Sequence, residues 1–352
     1  MVILDLSVVV AVAFMTSLVV CRAMIWIGPV DAPTEERKQH RAPTPTSGGV
    51  GIGAGYGAAM LILSLFSVEW RHQISPQGVA MLWVSALFAY PLLLIGFVDD
   101  ARRLSAEFKF CVYSALAVAA AWLMGVVDEV RIGDLVVTLP FLVALAGTAL
   151  WVFTLLNVVN FMDGANGMAM GSVTVGLCAL SVIALQGGSV GGGAIALCGA
   201  GALAGFLIWN FPSGRLFAGD SGALFAGALA GFGCLIVIAR AHMSPLVAPI
   251  LFFPLLADAL LTLLYRARRG RSLLVAHAEH IYQIAIISGW SHARIGVTYW
   301  AAMAICGVIA WWADQDATHI APAAALLSLT ALALVADAFV RRRAEAAGIL
   351  KP

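Results

Sequence analysis

The fold is decided by long apolar stretches such as Met81-Leu-Trp-Val-Ser-Ala-Leu-Phe-Ala-Tyr-Pro-Leu-Leu-Leu-Ile-Gly-Phe-Val-Asp99-Asp100, which ends in two adjacent carboxylates. A helix needs about 20 apolar residues to cross the hydrocarbon core of a bilayer. The residues before Asp99 meet this length, so the stretch predicts a membrane-spanning helix. The two acids fall at the end of that helix. Ionisable groups at membrane depth are costly and usually mark a functional site.

The composition of the whole chain agrees with this interpretation. Of its 352 residues, 62% are hydrophobic and only 11% are charged, with a mean hydropathy of +0.96. These values exclude a soluble globular domain, and the net charge of +1 gives no preference for nucleic acid. We expect an all-α polytopic membrane protein of about eleven transmembrane helices, because a backbone exposed to lipid must satisfy its own hydrogen bonds. The apolar windows lie near 4–26, 48–67, 78–98, 106–125, 140–159, 168–186, 194–209, 221–239, 246–265, 294–312 and 321–340.

The distribution of Lys and Arg orients these spans. If the N-terminus lies outside, all but three of the 20 Lys and Arg residues fall on the inner side, which the positive-inside rule assigns to the cytoplasm. The three exceptions are Arg71, Arg131 and Arg240. The same orientation places the acids of the three motifs described below on the inner side.

The rest of the chain shows little further subdivision. Residues 126–139 alternate apolar and polar on both sides of Gly133-Asp134, which predicts a small β-hairpin on the outer side of the membrane. We find no Pro- or Ser-rich linker and no clear internal repeat. The simplest interpretation is a single polytopic membrane domain over residues 1–352.

Three short polar motifs lie at the inner ends of predicted spans. They are Gly96-Phe-Val-Asp99-Asp100, Asn160-Phe-Met-Asp163-Gly164-Ala-Asn166-Gly167 and Phe217-Ala-Gly219-Asp220-Ser-Gly222. Each alone has an ordinary structural explanation: a helix-end ion pair for the first, an Asx- and Gly-rich turn for the second and an Asp N-cap for the third. Together on one face they predict an acidic site suited to Mg²⁺ and to the phosphates that Mg²⁺ carries.

Two basic loops complete the inner face. The first contains Arg37-Lys38-Gln-His40, and the second, from Tyr265 to Gln283, has four arginines within six residues and two histidines at i,i+3 spacing. Basic groups of this kind suit a phosphate clamp. The first cluster is also what the positive-inside rule produces unaided. The two histidines could instead ligate Zn²⁺, although no third ligand is evident nearby.

In their order, these motifs resemble those of the polyprenyl-phosphate N-acetylhexosamine-1-phosphate transferases of glycosyltransferase family 4, which includes WecA-like, WbpL-like and, more distantly, MraY-like enzymes. The matching pieces run from about residue 31 to 283 of this sequence. They are Arg37-Lys38-x-His40 with Pro45 and Gly48-Gly49, Gly96 to Asp100 with Leu104 and Lys109, Asn160 to Gly164, Gly219 to Gly222, Asp258 with Tyr265-Arg266, and His277-x-x-His280-x-Tyr282-Gln283.

The resemblance implies a reaction and its partners. Undecaprenyl phosphate and a UDP-N-acetylhexosamine would give undecaprenyl-diphospho-N-acetylhexosamine and UMP, with Mg²⁺ as cofactor. The protein would lie in the bacterial inner membrane with its active site on the cytoplasmic face and its N-terminus in the periplasm. The reaction would begin an O-antigen, lipopolysaccharide or other surface or cell-wall glycan. Direct attack at phosphorus and a covalent aspartyl phosphate both stay open, as does a homodimer.

The resemblance also implies a role for each motif residue. Asp220 would ligate Mg²⁺, with Asp163 as a second ligand or close neighbour, while Asp99 and Asp100 would orient or deprotonate the lipid phosphate. The expected catalytic residues are Asp99, Asp100, Asp163 and Lys109. The expected substrate-binding residues are Lys38, His40, Asn160, Gly164, Asn166, Arg269, His277, His280 and Tyr282.

Two departures from the family pattern concern the substrate. Asn166 stands where many members have the second acid of Asp-Gly-x-Asp-Gly, and an amide there suits uracil. The His-x-x-His-x-Tyr-Gln loop is most similar to the WbpL-like branch, whose donors include UDP-linked 6-deoxy sugars such as QuiNAc or FucNAc. We expect Tyr282 to offer a mainly apolar face to such a sugar.

A multi-pass transporter or lipid flippase is the alternative from another class. Such proteins place ionisable groups near the membrane midplane at broken helices, often in two repeated halves. In this chain the acids lie at span ends on one face and no repeat is visible, which favours an enzyme.

Overall fold

The computed structural model describes residues 2–31, 44–65, 76–102, 104–273 and 277–350. Within these ranges the chain is mostly helical. The helices are α1 (Val2–Ile27), α2 (Gly48–Leu65), α3 (Pro76–Arg102), α4 (Ala106–Met124), α5 (Phe141–Met162), α6 (Met168–Gln186), α7 (Val190–Asn210), α8 (Gly219–Ala241), α9 (Val247–Leu251), α10 (Phe253–Arg268), α11 (Ile281–Ile287), α12 (His292–Asp314) and α13 (Ala321–Ala346).

The polytopic all-α fold expected from the sequence is confirmed. In the described part of the chain, ten helices are long and apolar enough to cross a membrane: α1 to α8, α12 and α13. Each of them overlaps one of the predicted apolar windows. Apolar run length therefore located the spans without any knowledge of how they pack.

The ninth predicted window, 246–265, forms two helices. Phe252, with φ −114° and ψ 18°, separates α9 from α10. A proline, Pro254, follows at the start of α10. Proline has no backbone N–H and clashes with the preceding turn, so it favours the start of a helix over its interior. Among the described residues there are thus ten continuous candidate spans and one divided segment where the sequence predicts about eleven spans.

Helix α8 is the centre of the bundle. In its most apolar stretch 89% of the residues are buried, whereas in that of α13 none is. Its Gly and Ala residues pack against α3, α5 and α6, and small residues let helix backbones approach closely in a membrane. Since α8 begins at Gly219, the Asp220 motif lies at the end of the most enclosed helix.

The predicted β-hairpin is present between α4 and α5. Strands β3 (Glu129–Ile132) and β4 (Leu135–Thr138) pair antiparallel, and Gly133, at φ 60°, supplies the left-handed residue of the turn. A second short pairing was not predicted: β1 (Val30–Asp31) pairs with β2 (Thr44–Pro45). This pairing joins the two ends of the segment between α1 and α2.

Candidate active site

Asp99 lies at the end of α3, where two donors hold its carboxylate. The residue is 6% exposed. The backbone N–H of Leu104 donates to Oδ1 at 2.6 Å, and the ammonium of Lys109 donates to Oδ2 at 2.7 Å. Helix α4 begins after the N-cap Ser105, and this start places Lys109 beside Asp99. A buried carboxylate needs such a cation, because its charge is otherwise uncompensated.

Asp100, the second acid of the pair, is directed toward α8. Its Oδ1 accepts the backbone N–H of Asp220 at 2.9 Å and its Oδ2 that of Ser221 at 3.4 Å. The first N–H groups of a helix have no partner within the helix, and a negative charge is favoured beside them. The two adjacent acids therefore have different surroundings: Asp99 faces a lysine and Asp100 faces the start of a helix.

Two glycines allow α3 and α8 to approach this closely. A Cβ at Gly96 would lie 2.5 Å from the backbone nitrogen of Ser221. Gly219, with φ 70°, stands directly before Asp220, and a Cβ there would overlap an oxygen of Asp100. A side chain at either position would push the two motifs apart.

Asp220 completes the group from the first turn of α8. Its Oδ1 accepts the side-chain N–H of Asn160 at 2.9 Å, and its Oδ2 lies 3.9 Å from the ammonium of Lys109. The Asp220 side chain is 34% exposed, so it is more accessible to a ligand than that of Asp99. We call Asp99, Asp100, Lys109, Asn160 and Asp220 the carboxylate cluster. It joins the ends of α3, α4, α5 and α8, which confirms that these motifs meet at one end of the bundle.

The chain just before and at the start of α2 packs on the Asp220 motif through its backbone. The N–H groups of Gly48 and Gly49 donate to the carbonyls of Phe217 and Ala218 at 2.9 and 3.0 Å, and Phe217 donates to the carbonyl of Pro45 at 2.8 Å. The start of α2 therefore lies beside the carboxylate cluster. Lys38 and His40, expected from the sequence to bind substrate, lie outside the described residues.

Asp163 ends α5, three residues after Asn160. It is the C-cap of the helix and is partly buried. Burial and the nearby charge of Asp100 raise the pKa of Asp163 to about 7. A carboxyl group in such surroundings ionises more readily when a cation binds nearby. This agrees with a place at the edge of a metal or phosphate site.

The turn after Asp163 is held by residues of other elements. The backbone N–H of Asn166 donates to Nδ1 of His292 at 3.1 Å, and the Asn166 side-chain amide donates to the carbonyl of Pro212 at 3.0 Å. The carbonyl of Gly167 accepts the indole N–H of Trp300 at 2.9 Å. No sequence pattern assigned a role to His292 or to Trp300. Both residues come from α12, which brings that helix against the turn.

The second basic loop is anchored by Asp258, a 5% exposed residue of α10. Its carboxylate accepts the backbone N–H groups of Ile281 at 2.8 Å and Tyr282 at 3.1 Å, and the hydroxyl of Tyr299 at 2.5 Å. Nδ1 of His280 lies 3.4 Å from it. His280 and Tyr282 are only 4% and 2% exposed. The expectation that Tyr282 offers an accessible apolar face is wrong for this structure, because its ring is buried.

Arginines of the second loop are paired with acids. Arg266 and Arg271 both donate to the carboxylate of Glu279, and a guanidinium nitrogen of Arg269 lies 2.5 Å from a carboxylate oxygen of Glu345 in α13. These pairs reduce the positive charge that the sequence alone suggests for this loop. A phosphate contact by Arg269 requires it to share or exchange its pairing with Glu345.

His277 stacks on His280, with ring centroids 5.0 Å apart. Burial, followed by the nearby imidazole of His280 and guanidinium of Arg266, lowers the pKa of His277 to about 4. Its imidazole is therefore neutral at pH 7. A neutral imidazole can give a phosphate a hydrogen bond but no compensating charge.

The donor chemistry of the carboxylate cluster fits Mg²⁺. Mg²⁺ is usually bound by one or two carboxylates, with waters and substrate phosphates as its other ligands. Asp220 supplies an accessible carboxylate at the end of the bundle, and Asp163 stands three residues after Asn160, whose amide donates to Asp220. In the part of the chain that the structure describes, no group of three or more His, Cys, Asp or Glu residues forms a metal site by itself. Substrate and water oxygens would therefore have to complete the coordination.

The helix bundle and the cluster at its end define a polytopic membrane protein with an acidic, lysine-containing cluster at the ends of its candidate spans. Comparison with known proteins shows what the chain is similar to. Residues 82–238 match the model of glycosyl transferase family 4. The matched residues include the whole carboxylate cluster and the turn from Asp163 to Gly167, whereas the second basic loop lies beyond them.

Several named proteins are similar over most of the chain. A probable undecaprenyl-phosphate N-acetylglucosaminyl 1-phosphate transferase of Bacillus subtilis (strain 168) is 28% identical over 301 residues, which cover 80% of this chain and 79% of that protein. A phospho-N-acetylmuramoyl-pentapeptide-transferase of Desulforudis audaxviator is 28% identical over 79% of this chain and 86% of its own length. A decaprenyl-phosphate N-acetylglucosaminephosphotransferase of Mycolicibacterium smegmatis is 29% identical over 74% of this chain and 69% of its own.

Proposed function

We propose that this protein transfers an N-acetylhexosamine 1-phosphate unit from a UDP-linked sugar to undecaprenyl phosphate. The products are undecaprenyl-diphospho-N-acetylhexosamine and UMP. The carboxylate cluster is the observation that carries the proposal, because it gathers three acids and a lysine where a lipid phosphate and a soluble nucleotide can meet. The names of the relatives support the same chemistry.

Such a reaction brings two phosphate-bearing anions together, so the site must neutralise charge and fix their positions. Asp220 is the proposed Mg²⁺ ligand, with Asp163 as the second. Bound Mg²⁺ supplies positive charge to the diphosphate and to the UMP that leaves. Asp100 is assigned a positioning role, since both of its oxygens accept N–H groups at the start of α8.

The lipid phosphate is assigned to the side of the cluster formed by Lys109 and Asp99. The ammonium of Lys109 attracts the phosphate, and the 2.7 Å contact with Asp99 fixes the direction of the lysine side chain. The second pKa of a phosphate monoester is about 6, so a strong base is unnecessary at pH 7. Asp99 therefore orients the nucleophile through Lys109.

The nucleotide is assigned to the turn from Asp163 to Gly167. Gly164 leaves the backbone accessible on one side, and the amide of Asn166 supplies groups of the kind that pair with uracil. Asn160 bridges this turn to Asp220 through its hydrogen bond. Lys38, His40, Arg269 and the His277–His280 pair are proposed to contact the donor phosphates. The sugar is an N-acetylhexosamine, with the 6-deoxy sugars QuiNAc and FucNAc as the first candidates to compare with GlcNAc.

The site is assigned to the cytoplasmic face of the bacterial inner membrane, and the product to a surface glycan such as O-antigen. The distribution of Lys and Arg supports this orientation. Single cysteines at Arg268 and at Asp134, in a chain freed of other exposed cysteines, test it with a membrane-impermeant reagent on intact spheroplasts. Labelling is expected at position 134 only. Labelling at position 268 alone would reverse the orientation.

The test of the function is UMP release by the purified protein in detergent. UDP-GlcNAc or UDP-linked QuiNAc is supplied with Mg²⁺, with and without undecaprenyl phosphate. Release of UMP that depends on the lipid phosphate, with transfer of the sugar phosphate to lipid, supports the enzyme. Transport of a UDP-sugar or lipid across vesicles without UMP release would establish the transporter instead.

A further inference from the structure

Tyr282 lies beneath the turn that follows α5. Its side chain is 2% exposed, and its hydroxyl donates to the backbone carbonyl of Phe161 at 3.3 Å. A Cβ built on Gly164 would overlap this hydroxyl oxygen and would lie 3.0 Å from the ring atom Cζ. The turn can rest on the ring only because position 164 carries no side chain.

Gly164 is required for space and not for its backbone conformation. Several glycines have φ in the left-handed range, among them Gly167, but Gly164 does not. An alanine is therefore compatible with the backbone at position 164, and the ring of Tyr282 is the obstacle to it. The contact can thus be tested by a substitution on either side.

Asp258 fixes Tyr282 from the opposite side. It accepts the backbone N–H of Tyr282 at 3.1 Å and the neighbouring N–H of Ile281 at 2.8 Å. The hydroxyl of Tyr299 donates to the same carboxylate at 2.5 Å. A buried carboxylate that receives several donors holds them in a defined geometry. The start of α11, and with it Tyr282, is therefore tied to α10.

We propose that Tyr282 is a positioning residue for the transfer reaction. It supports the backbone from Phe161 to Gly164 and so holds Asp163 at the end of α5, three residues from the Asn160 amide that donates to Asp220. The inference rests on the proposed function for its kinetic readout. In this role Tyr282 does not touch the donor sugar. It affects the reaction through its contact with Gly164.

The test is a double-mutant cycle of Gly164→Ala and Tyr282→Phe, measured by UMP release. Gly164→Ala alone is expected to lower kcat by about 10- to 100-fold, because a small displacement of a catalytic group has effects of this size. Tyr282→Phe alone loses one hydrogen bond and is expected to lower kcat by less than about tenfold. The double variant is expected to recover most of the kcat lost in Gly164→Ala. Without the hydroxyl, the new methyl group meets the ring only at a distance near 3.0 Å, which a small shift relieves.

Gly147→Ala is the matched control. Gly147 lies in α5, the helix that precedes Gly164, and a Cβ there would meet no atom within 4 Å. Its kcat should equal that of the wild type. Full activity of Gly164→Ala, or a double variant whose loss is the product of the two single losses, would overturn the inference.

The choice of donor separates positioning from direct sugar contact. A positioning role predicts that Tyr282→Phe lowers kcat by the same factor with UDP-GlcNAc and with UDP-QuiNAc, and leaves KM for each donor within about threefold, since less than 1 kcal/mol of binding is then lost. A changed ratio between donors, or a raised KM with unchanged kcat, would return Tyr282 to the sugar site.

The melting temperatures of the same four proteins give a readout that does not depend on activity. If the ring and position 164 are in contact, Tyr282→Phe should reduce the destabilisation caused by Gly164→Ala. Absence of this coupling would refute the contact. If the four melting temperatures show this coupling but the wild-type protein releases no UMP, the proposed function is refuted. The contact between Tyr282 and position 164 still stands in that case.

Discussion

The carboxylate of Asp100 accepts the backbone N–H of Asp220 at 2.9 Å. One acid of the Asp99-Asp100 pair thus holds the helix that carries the proposed metal ligand. The other acid holds Lys109. The pair divides two tasks between neighbouring residues, which explains why two carboxylates stand together at the end of an apolar helix.

Replacement of Asp100 by alanine should lower both stability and turnover. The N–H groups of Asp220 and Ser221 lose their acceptor, and a hydrogen bond to a charged group is worth about 1.5–3 kcal/mol. We expect a lower melting temperature in detergent and UMP release reduced at least tenfold, as the start of α8 moves. Asp128→Ala, at an exposed acid beside the hairpin, is the control. Unchanged melting and turnover in Asp100→Ala would show that this contact does not position α8.

Asp220→Asn should abolish turnover while the protein still folds. The amide keeps the size of the side chain but removes the charge proposed to hold Mg²⁺. Loss of a metal-held charge costs several kcal/mol of transition-state stabilisation, which is at least ~10³ in rate. Chelation of divalent metals should likewise stop UMP release by the wild type, and Mg²⁺ should restore it. More than a tenth of wild-type activity in Asp220→Asn at saturating Mg²⁺ would make the ligand assignment wrong.

Lys109→Met should separate stability from chemistry. It leaves the Asp99 carboxylate without its cation, and breaking a fully buried pair costs about 3–5 kcal/mol. The Lys109 side chain is 31% exposed, so solvent reduces the expected cost to about 1–3 kcal/mol. Adding Asp99→Asn removes the unpaired charge and should restore the melting temperature, but UMP release should stay low. Recovery of turnover in the double variant would show that Lys109 serves only to neutralise Asp99.

His277 should make the protein less stable at acid pH. Because burial lowers its folded-state pKa to about 4, the unfolded chain binds a proton at higher pH than the folded one. The folded state therefore loses stability as pH falls below the unfolded value of about 6.5, by on the order of 1–2 kcal/mol at pH 5. His277→Gln should show a smaller fall in melting temperature between pH 7 and pH 5 than the wild type. Equal falls in the two proteins would mean that His277 is not buried in its neutral form.

Local properties of the sequence were enough to place the spans and the hairpin. Within the described ranges, apolar length located the ten continuous helices, and the turn at Gly133-Asp134 located the β-hairpin. The division at Phe252 was missed, although Pro254 is a local signal for a new helix start. The positions of the three acidic motifs followed from counting spans, because each crossing of the membrane alternates the side on which the next loop lies.

The environment of individual side chains was less accessible from the sequence. His292 accepts a hydrogen bond from Asn166, which is 126 positions away along the chain. Arg269 is paired with Glu345, 76 positions away. Neither pairing follows from a local sequence pattern. The sequence therefore indicated a more positive charge for the second basic loop than the structure has. The burial of Tyr282 likewise depends on Asp258, whose carboxylate serves as an acceptor inside the protein.

The closeness of α3 and α8 depends on positions without side chains. At Gly96 and Gly219 the added bulk of a single methyl group would meet the opposite motif. Substitution of polar residues alone would therefore leave untouched the two glycines that allow α3 and α8 to approach each other. We expect replacement of these two glycines by alanine to abolish the proposed transfer while every acid and the lysine remain in the chain. The spacing between helices, as much as the ligands that they carry, is a property on which selection can act.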